Sequence, residues 1–240
     1  MAADRTRADS LRWMVQGSNT FFAALAALPD DRLDQPTVLA GWTGKHLLAH
    51  VAANADALVN LARWARTGEE TPMYSSAQQR DADIDAGATR PAAELRAWAM
   101  RSAETLHARL AELDEQQWRW QVRTAQGRTV PAEEIPWMRA REVMVHAVDL
   151  SAGVGFDDLP ADFLAALLDD IAAKRSAAGD GPALTLTATD HRGTWAVSGV
   201  GDSIPVISTV AGLTAYLSGR PAPGVTSTGE EPVPELPRWL

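Results

Sequence analysis

Among 240 residues there is no cysteine. That absence excludes disulfides, thiolate metal ligands and a cysteine nucleophile together, so any thiol chemistry must be brought by a second molecule. Positive charge is also scarce: 22 basic against 31 acidic side chains leave a formal charge of -9. Phosphate binding needs a concentrated basic surface, so neither nucleic acid nor an anionic membrane is an expected partner. No window nears the ~20 apolar residues of a membrane-spanning helix. The first residues, Met1 to Trp13, hold no apolar core of signal-peptide length. The expectation is a soluble, cytoplasmic protein. Phenylalanine and tyrosine are few, at four and two, beside nine tryptophans, a choice that identifies no function. There is no G-x-S-x-G and no P-loop. Gly153-Val154-Gly155 and Gly199-Val200-Gly201 lack the third glycine and the strand-to-helix context of a dinucleotide site.

What is present is mostly helical pattern. Hydrophobic residues make up 46% of the chain, which excludes disorder, and the length suits one large or two modest domains. Apolar positions recur at helical spacing from Thr6 to Leu28, and again from Thr43, a suitable N-cap, to Thr67-Gly68. Residues 69–89 are polar and weakly patterned, a long connection with at most one short helix. Pro91 opens a third helix reaching about Leu113, and Pro131 opens a fourth that ends before Gly153. Four helices with two long connections fit a bundle. After Gly155 the character changes. A helix over 160–177 precedes two alternating runs, Leu184 to Thr187 and Thr194 to Ser198, which read as a hairpin. Ile204 to Ile207 suits a third strand and Thr209 to Ser218 a last helix, with Gly219 just past its end. The proline-rich tail from Pro221 reads as extended. The chain is thus expected to be mainly α with a smaller α+β domain, divided into residues 1–155 and 156–240.

Chemistry concentrates in two helices. Glu142 and His146 lie four residues apart and share one face, where they can converge on one ion. Their neighbours on that face are apolar, and an unpaired carboxylate and imidazole there would cost roughly several kcal/mol. A shared metal removes that cost, and so does a simple Glu–His hydrogen bond. In the second helix His46 and His50 also lie four apart, and a bundle brings facing side chains to a common centre. One of these histidines would complete a 2-His-1-carboxylate set with open positions, as catalytic metal sites have. Spacing does not choose between them, and each is also compatible with a structural histidine. His107 and His191 read as solvated. A substrate with two carboxylates would call on a few of the arginines at Arg80, Arg139, Arg141 and Arg220, because the guanidinium fork grips carboxylate in two places.

Several stretches resemble the mycothiol-dependent maleylpyruvate isomerase family within the DinB-like bundle superfamily. They are Gly41-Trp42-Thr43 running into His46-Leu47-Leu48-Ala49-His50; Thr67-Gly68-Glu69-Glu70-Thr71-Pro72-Met73-Tyr74; and Thr124-Ala125-Gln126-Gly127-Arg128-Thr129-Val130-Pro131. Trp137-Met138-Arg139, Arg141-Glu142 through Asp149-Leu150, Gly224-Val225-Thr226-Ser227 and Pro237-Arg238-Trp239-Leu240 add to these. Nearly the whole chain is covered, although 157–201 matches poorly. The Trp-Thr and E-x-x-x-H pieces belong to the broad superfamily; the Thr-Ala-Gln-Gly-Arg segment and the tail are more specific.

The resemblance implies a DinB-like four-helix bundle followed by an α/β lid domain. It selects His50 over His46 as the first metal ligand, joined by Glu142 and His146, and implies Arg220 and Arg80 as residues acting on substrate. The implied reaction is cis–trans isomerisation of maleylpyruvate to fumarylpyruvate in gentisate breakdown. Its cofactors would be mycothiol and a divalent metal, zinc first, with nickel or iron suiting the same donors. A mycothiol S-transferase would share the three ligands, and a non-catalytic bundle would use its histidines structurally.

Overall fold

The computed structural model describes residues 5–229, 232–237 and 239. Arg238 and Leu240 of the expected tail motif lie outside the described residues. Two compact units divide the chain, Thr6–Val154 and the part from Gly155 onward.

The first unit is built on four long helices. Helix α1, Arg7–Ala27, starts where Thr6 and Asp9 form a reciprocal capping box. Helix α2, Gly44–Thr67, begins after Thr43 and stops at Gly68, whose φ of 74° needs no Cβ to be accommodated. Helix α3, Ala77–Ala88, occupies the polar connection, and α4, Ala92–Ala111, follows Pro91. A single turn α5, Glu115–Trp118, leads into strands β1, Gln121–Arg123, and β2, Thr129–Pro131, which pair antiparallel. Helix α6, Ile135–Asp149, completes the bundle.

The sequence reading errs at this last start. Pro131 ends β2 rather than opening a helix, and residues 132–134 form a short 3-10 turn. The proline pre-set for the first turn is Pro136, where a missing N–H costs nothing. The hairpin escapes periodicity because each strand has three residues. In α3 only Ile84 and Gly87 are buried, too few to leave an apolar stripe.

Helix α1 packs on α6, and α2 on α3, α4 and α6. Two glycines set how close these helices come. A Cβ on Gly17 of α1 would lie 2.6 Å from Val143 Cγ2 and 2.9 Å from Met144 Cγ on α6. One on Gly87 would lie 2.8 Å from the Ala49 methyl of α2. The core between the helices includes Phe21, Leu47, Leu48, Val51, Leu95 and Val143, none more than marginally exposed. Each such side chain contributes about 1.5–3 kcal/mol by leaving water.

The second unit opens with α7, Ala161–Ala178, and continues with β3, Pro182–Ala188, β4, Thr194–Val197, β5, Val200–Ser208, and α8, Val210–Leu217. Strand β3 buries Leu184, Leu186 and Ala188 and exposes Thr185 and Thr187, the alternation read from the sequence. Within the proline-rich tail Thr226–Ser227 form β6 on the edge of β5, giving the order β4-β3-β5-β6. Buried Arg175 of α7 donates to the Leu217 carbonyl from Nε at 2.9 Å and to the Pro237 carbonyl from Nη2 at 3.0 Å. Among the described residues no helix is long and apolar enough to cross a membrane.

Candidate metal centre

Helix α2 gives its two histidines different neighbours, beginning in its own first turn. Thr43 caps the helix, and His46 at the third position returns the bond: the Thr43 backbone N–H reaches His46 Nδ1 at 3.3 Å, and Thr43 Oγ1 lies 2.8 Å from the same nitrogen. His46 is thus committed to the cap, with Nε2 4.0 Å from Asp85 of α3. One turn later His50 turns inward, 7% exposed, its ring 5.2 Å from that of Trp42.

Facing it, α6 presents Glu142 and His146 one turn apart. His50 Nε2 lies 2.9 Å and His146 Nε2 3.3 Å from Glu142 Oε2, and the two imidazoles meet edge to face with centres 5.0 Å apart. One ligand atom from each residue falls within 4.8 Å of the others. Tetrahedral zinc with bonds of about 2.0–2.1 Å sets its ligand atoms roughly 3.3 Å apart. Three such donors, with no fourth histidine or carboxylate joining the cluster among the described residues, fit one divalent ion with coordination to spare.

The surroundings prepare each ligand differently. His146 Nδ1 lies 2.8 Å from Oδ2 of Asp149, which is fully buried. A carboxylate there accepts from Nδ1–H and leaves the Nε2 lone pair aimed at the site. Burial opposes charge on His146, but the bonds to Asp149 and Glu142 outweigh it and raise its pKa. Burial likewise opposes charge on Glu142, yet the bonds from His146 and His50 hold its carboxyl well below the usual range. Burial pushes the His50 pKa down, against the opposing pull of its bond to Glu142.

Cationic groups line the same region. Arg139, 1% exposed, donates from Nη1 to the Val51 carbonyl at 2.7 Å and to Asn54 at 3.0 Å, and burial pushes it down to about 10. Arg80 of α3 brings Nη2 to 3.3 Å from His50 Nδ1. Its guanidinium lies 6.0 Å from the Tyr74 ring, whose phenol burial pushes up to about 12, so it stays protonated. The structure therefore brings together His50, Glu142, His146 and Arg80. Arg220 is described within the second unit: its backbone N–H reaches the Ala215 carbonyl, Nη1 donates to the Ser218 carbonyl at 2.7 Å, and its guanidinium stands 6.0 Å from the Trp239 ring. His107 and His191 are exposed, as expected. The sequence reading did not single out Asp149 or Tyr74; the H-x-x-D spacing from His146 was the available signal for the former.

The bundle brings two histidines and one glutamate from facing helices into a cluster with the donor set and spacing that could hold a metal ion. Residues 15–151 match the family model described as the mycothiol maleylpyruvate isomerase N-terminal domain. The chain belongs to this family. It is 40% identical to a protein solved as the crystal structure of the mycothiol-dependent maleylpyruvate isomerase, with 98% of each chain covered and a TM-score of 0.94. It is 39% identical, with the same coverage and TM-score, to a histidine-to-alanine mutant solved under that name. No curated protein matches.

Proposed function

We propose that the protein is a metal- and mycothiol-dependent cis–trans isomerase converting maleylpyruvate to fumarylpyruvate. The supporting observation is the buried His50–Glu142–His146 set, in a chain that follows a solved isomerase over 98% of its length. When bound, the ion, which His50, Glu142 and His146 would hold, and mycothiol would together supply a thiolate nucleophile able to add reversibly to the conjugated double bond and so permit its rotation. The protein's own part is placement. Asp149 fixes the His146 ring, and ionised Glu142 offsets one unit of the ion's charge, leaving net positive charge to favour thiolate over thiol. We assign Arg80 and Arg220 to the carboxylates of the substrate and to the enolate charge that develops on addition. Zinc suits the donor set first, and nickel or iron share it. The role belongs to gentisate breakdown in the cytoplasm.

The test is to supply maleylpyruvate to the metal-loaded protein with and without mycothiol. Fumarylpyruvate forming only with the thiol supports the reading. A stable thioether accumulating without isomerisation would instead make the protein a mycothiol S-transferase. Absence of both metal and turnover would leave a non-catalytic bundle.

A further inference from the structure

The two histidines are prepared for opposite ring tautomers. His146 meets an acceptor, Asp149, at Nδ1, which leaves Nε2 free to coordinate. His50 has Glu142 at Nε2, 2.9 Å away, and the Arg80 guanidinium at Nδ1, 3.3 Å away. Guanidinium nitrogens only donate, and an ionised carboxylate only accepts. Both neighbours are satisfied at once when a neutral His50 carries its proton on Nε2 and its lone pair on Nδ1.

Coordination through Nε2 requires the reverse. The ring proton must then sit on Nδ1, where it meets the Arg80 N–H with no acceptor between them. Among the described residues no other side chain hydrogen-bonds to His50 Nδ1. Arg80 is placed to yield: it lies in the first turn of α3, is partly exposed, and is held on its other side by Asp81 at 2.8 Å.

Resting on the assignment of Arg80 to substrate, we propose that Arg80 and His50 Nδ1–H form a carboxylate-binding pair that exists only when the metal is bound. Ligation of His50 turns its outer nitrogen into a donor beside a displaced guanidinium. A carboxylate inserted between them accepts from both, one oxygen to Nδ1–H and the other to the fork. The substrate's carboxylate site is therefore completed by the metal. By linkage a dicarboxylate must then tighten metal binding by the same factor by which metal tightens the dicarboxylate.

The experiment uses the full chain without mycothiol, so that nothing turns over. Zinc affinity is measured against a competing chelator with and without saturating succinate. The expected result is severalfold tighter zinc with succinate in the wild type, and loss of that coupling in Arg80→Met. The same variant should bind zinc more tightly than wild type without succinate, because the opposed donor and its charge are gone. Ring nitrogen NMR on the wild type gives an independent reading that needs no variant. His50 should carry its proton on Nε2 without zinc and on Nδ1 with it, whereas His146 keeps Nδ1–H throughout. Equal zinc affinity with and without succinate, or a His50 tautomer that zinc leaves unchanged, overturns the proposal. The isomerase assay is separate: turnover without coupling removes only this inference, and coupling without turnover removes only the isomerase reading.

Discussion

His46 and His50 stand one turn apart on α2, and alanine at each should separate their roles. His50→Ala removes a proposed ligand, so metal affinity should fall by more than the ~10–100-fold that loss of an outer-shell partner costs, with helix content unchanged by circular dichroism. His46→Ala removes half of a capping box and should cost about 0.5–1 kcal/mol in denaturant unfolding while metal content stays constant. Equal metal loss in both variants would contradict the division. Acid should act through His146. Its pKa is raised, so a proton competes with the ion for Nε2 from a higher pH than at His50, whose pKa burial pushes down. Metal affinity should therefore fall about tenfold per pH unit below the raised His146 value, the slope for one displaced proton. A competition titration against pH measures this, and a slope of two would mean that both rings are charged. At this scale the sequence exposed the E-x-x-x-H pair because a charged pair on an apolar face is chemically conspicuous. It could not rank His46 against His50, since their difference lies in which neighbour each meets. One closes a cap with Thr43 and the other meets Glu142, 92 residues away.

Helix α6 carries two of the three candidate ligands, so whatever seats α6 seats the site. At Gly17 its contact with α1 leaves no room for a Cβ. Gly17→Ala gains up to about 1 kcal/mol of helix propensity but drives a methyl into Val143, a β-branched side chain with little freedom to turn. Overpacking of this kind typically costs ~1–3 kcal/mol, so net destabilisation in chemical denaturation is expected, with weaker metal binding as α6 shifts. Unchanged stability would show that α1 can move without disturbing α6. The long helices were legible because each buries a continuous stripe and ends at a recognisable cap. Helix α3 was only half legible, since it buries little beyond Ile84 and Gly87, yet it carries Arg80 to His50. Strands β1, β2 and β6 have two or three residues each, too short to show a period of two.

The two compact units divide the proposed labour unequally, because His50, Glu142, His146 and Asp149 all belong to residues 6–154. That segment has its own core, and expressed alone it should fold and hold one equivalent of zinc by elemental analysis, without isomerising maleylpyruvate. Failure to retain metal would mean that the ligand set needs the rest of the chain. In the complete protein, Arg220→Lys should lower turnover markedly while zinc content stays the same, because lysine cannot reproduce a bidentate grip on a carboxylate. Unchanged kcat and KM would remove Arg220 from the reaction. The Arg175 clamp bears on how the second unit can be handled in the laboratory. Its guanidinium grips the Leu217 and Pro237 carbonyls at once, so residue 237 is held to α7 from 62 positions away. A truncation that removes Pro237 would strip a carbonyl partner from a buried cation and loosen the tail from α7.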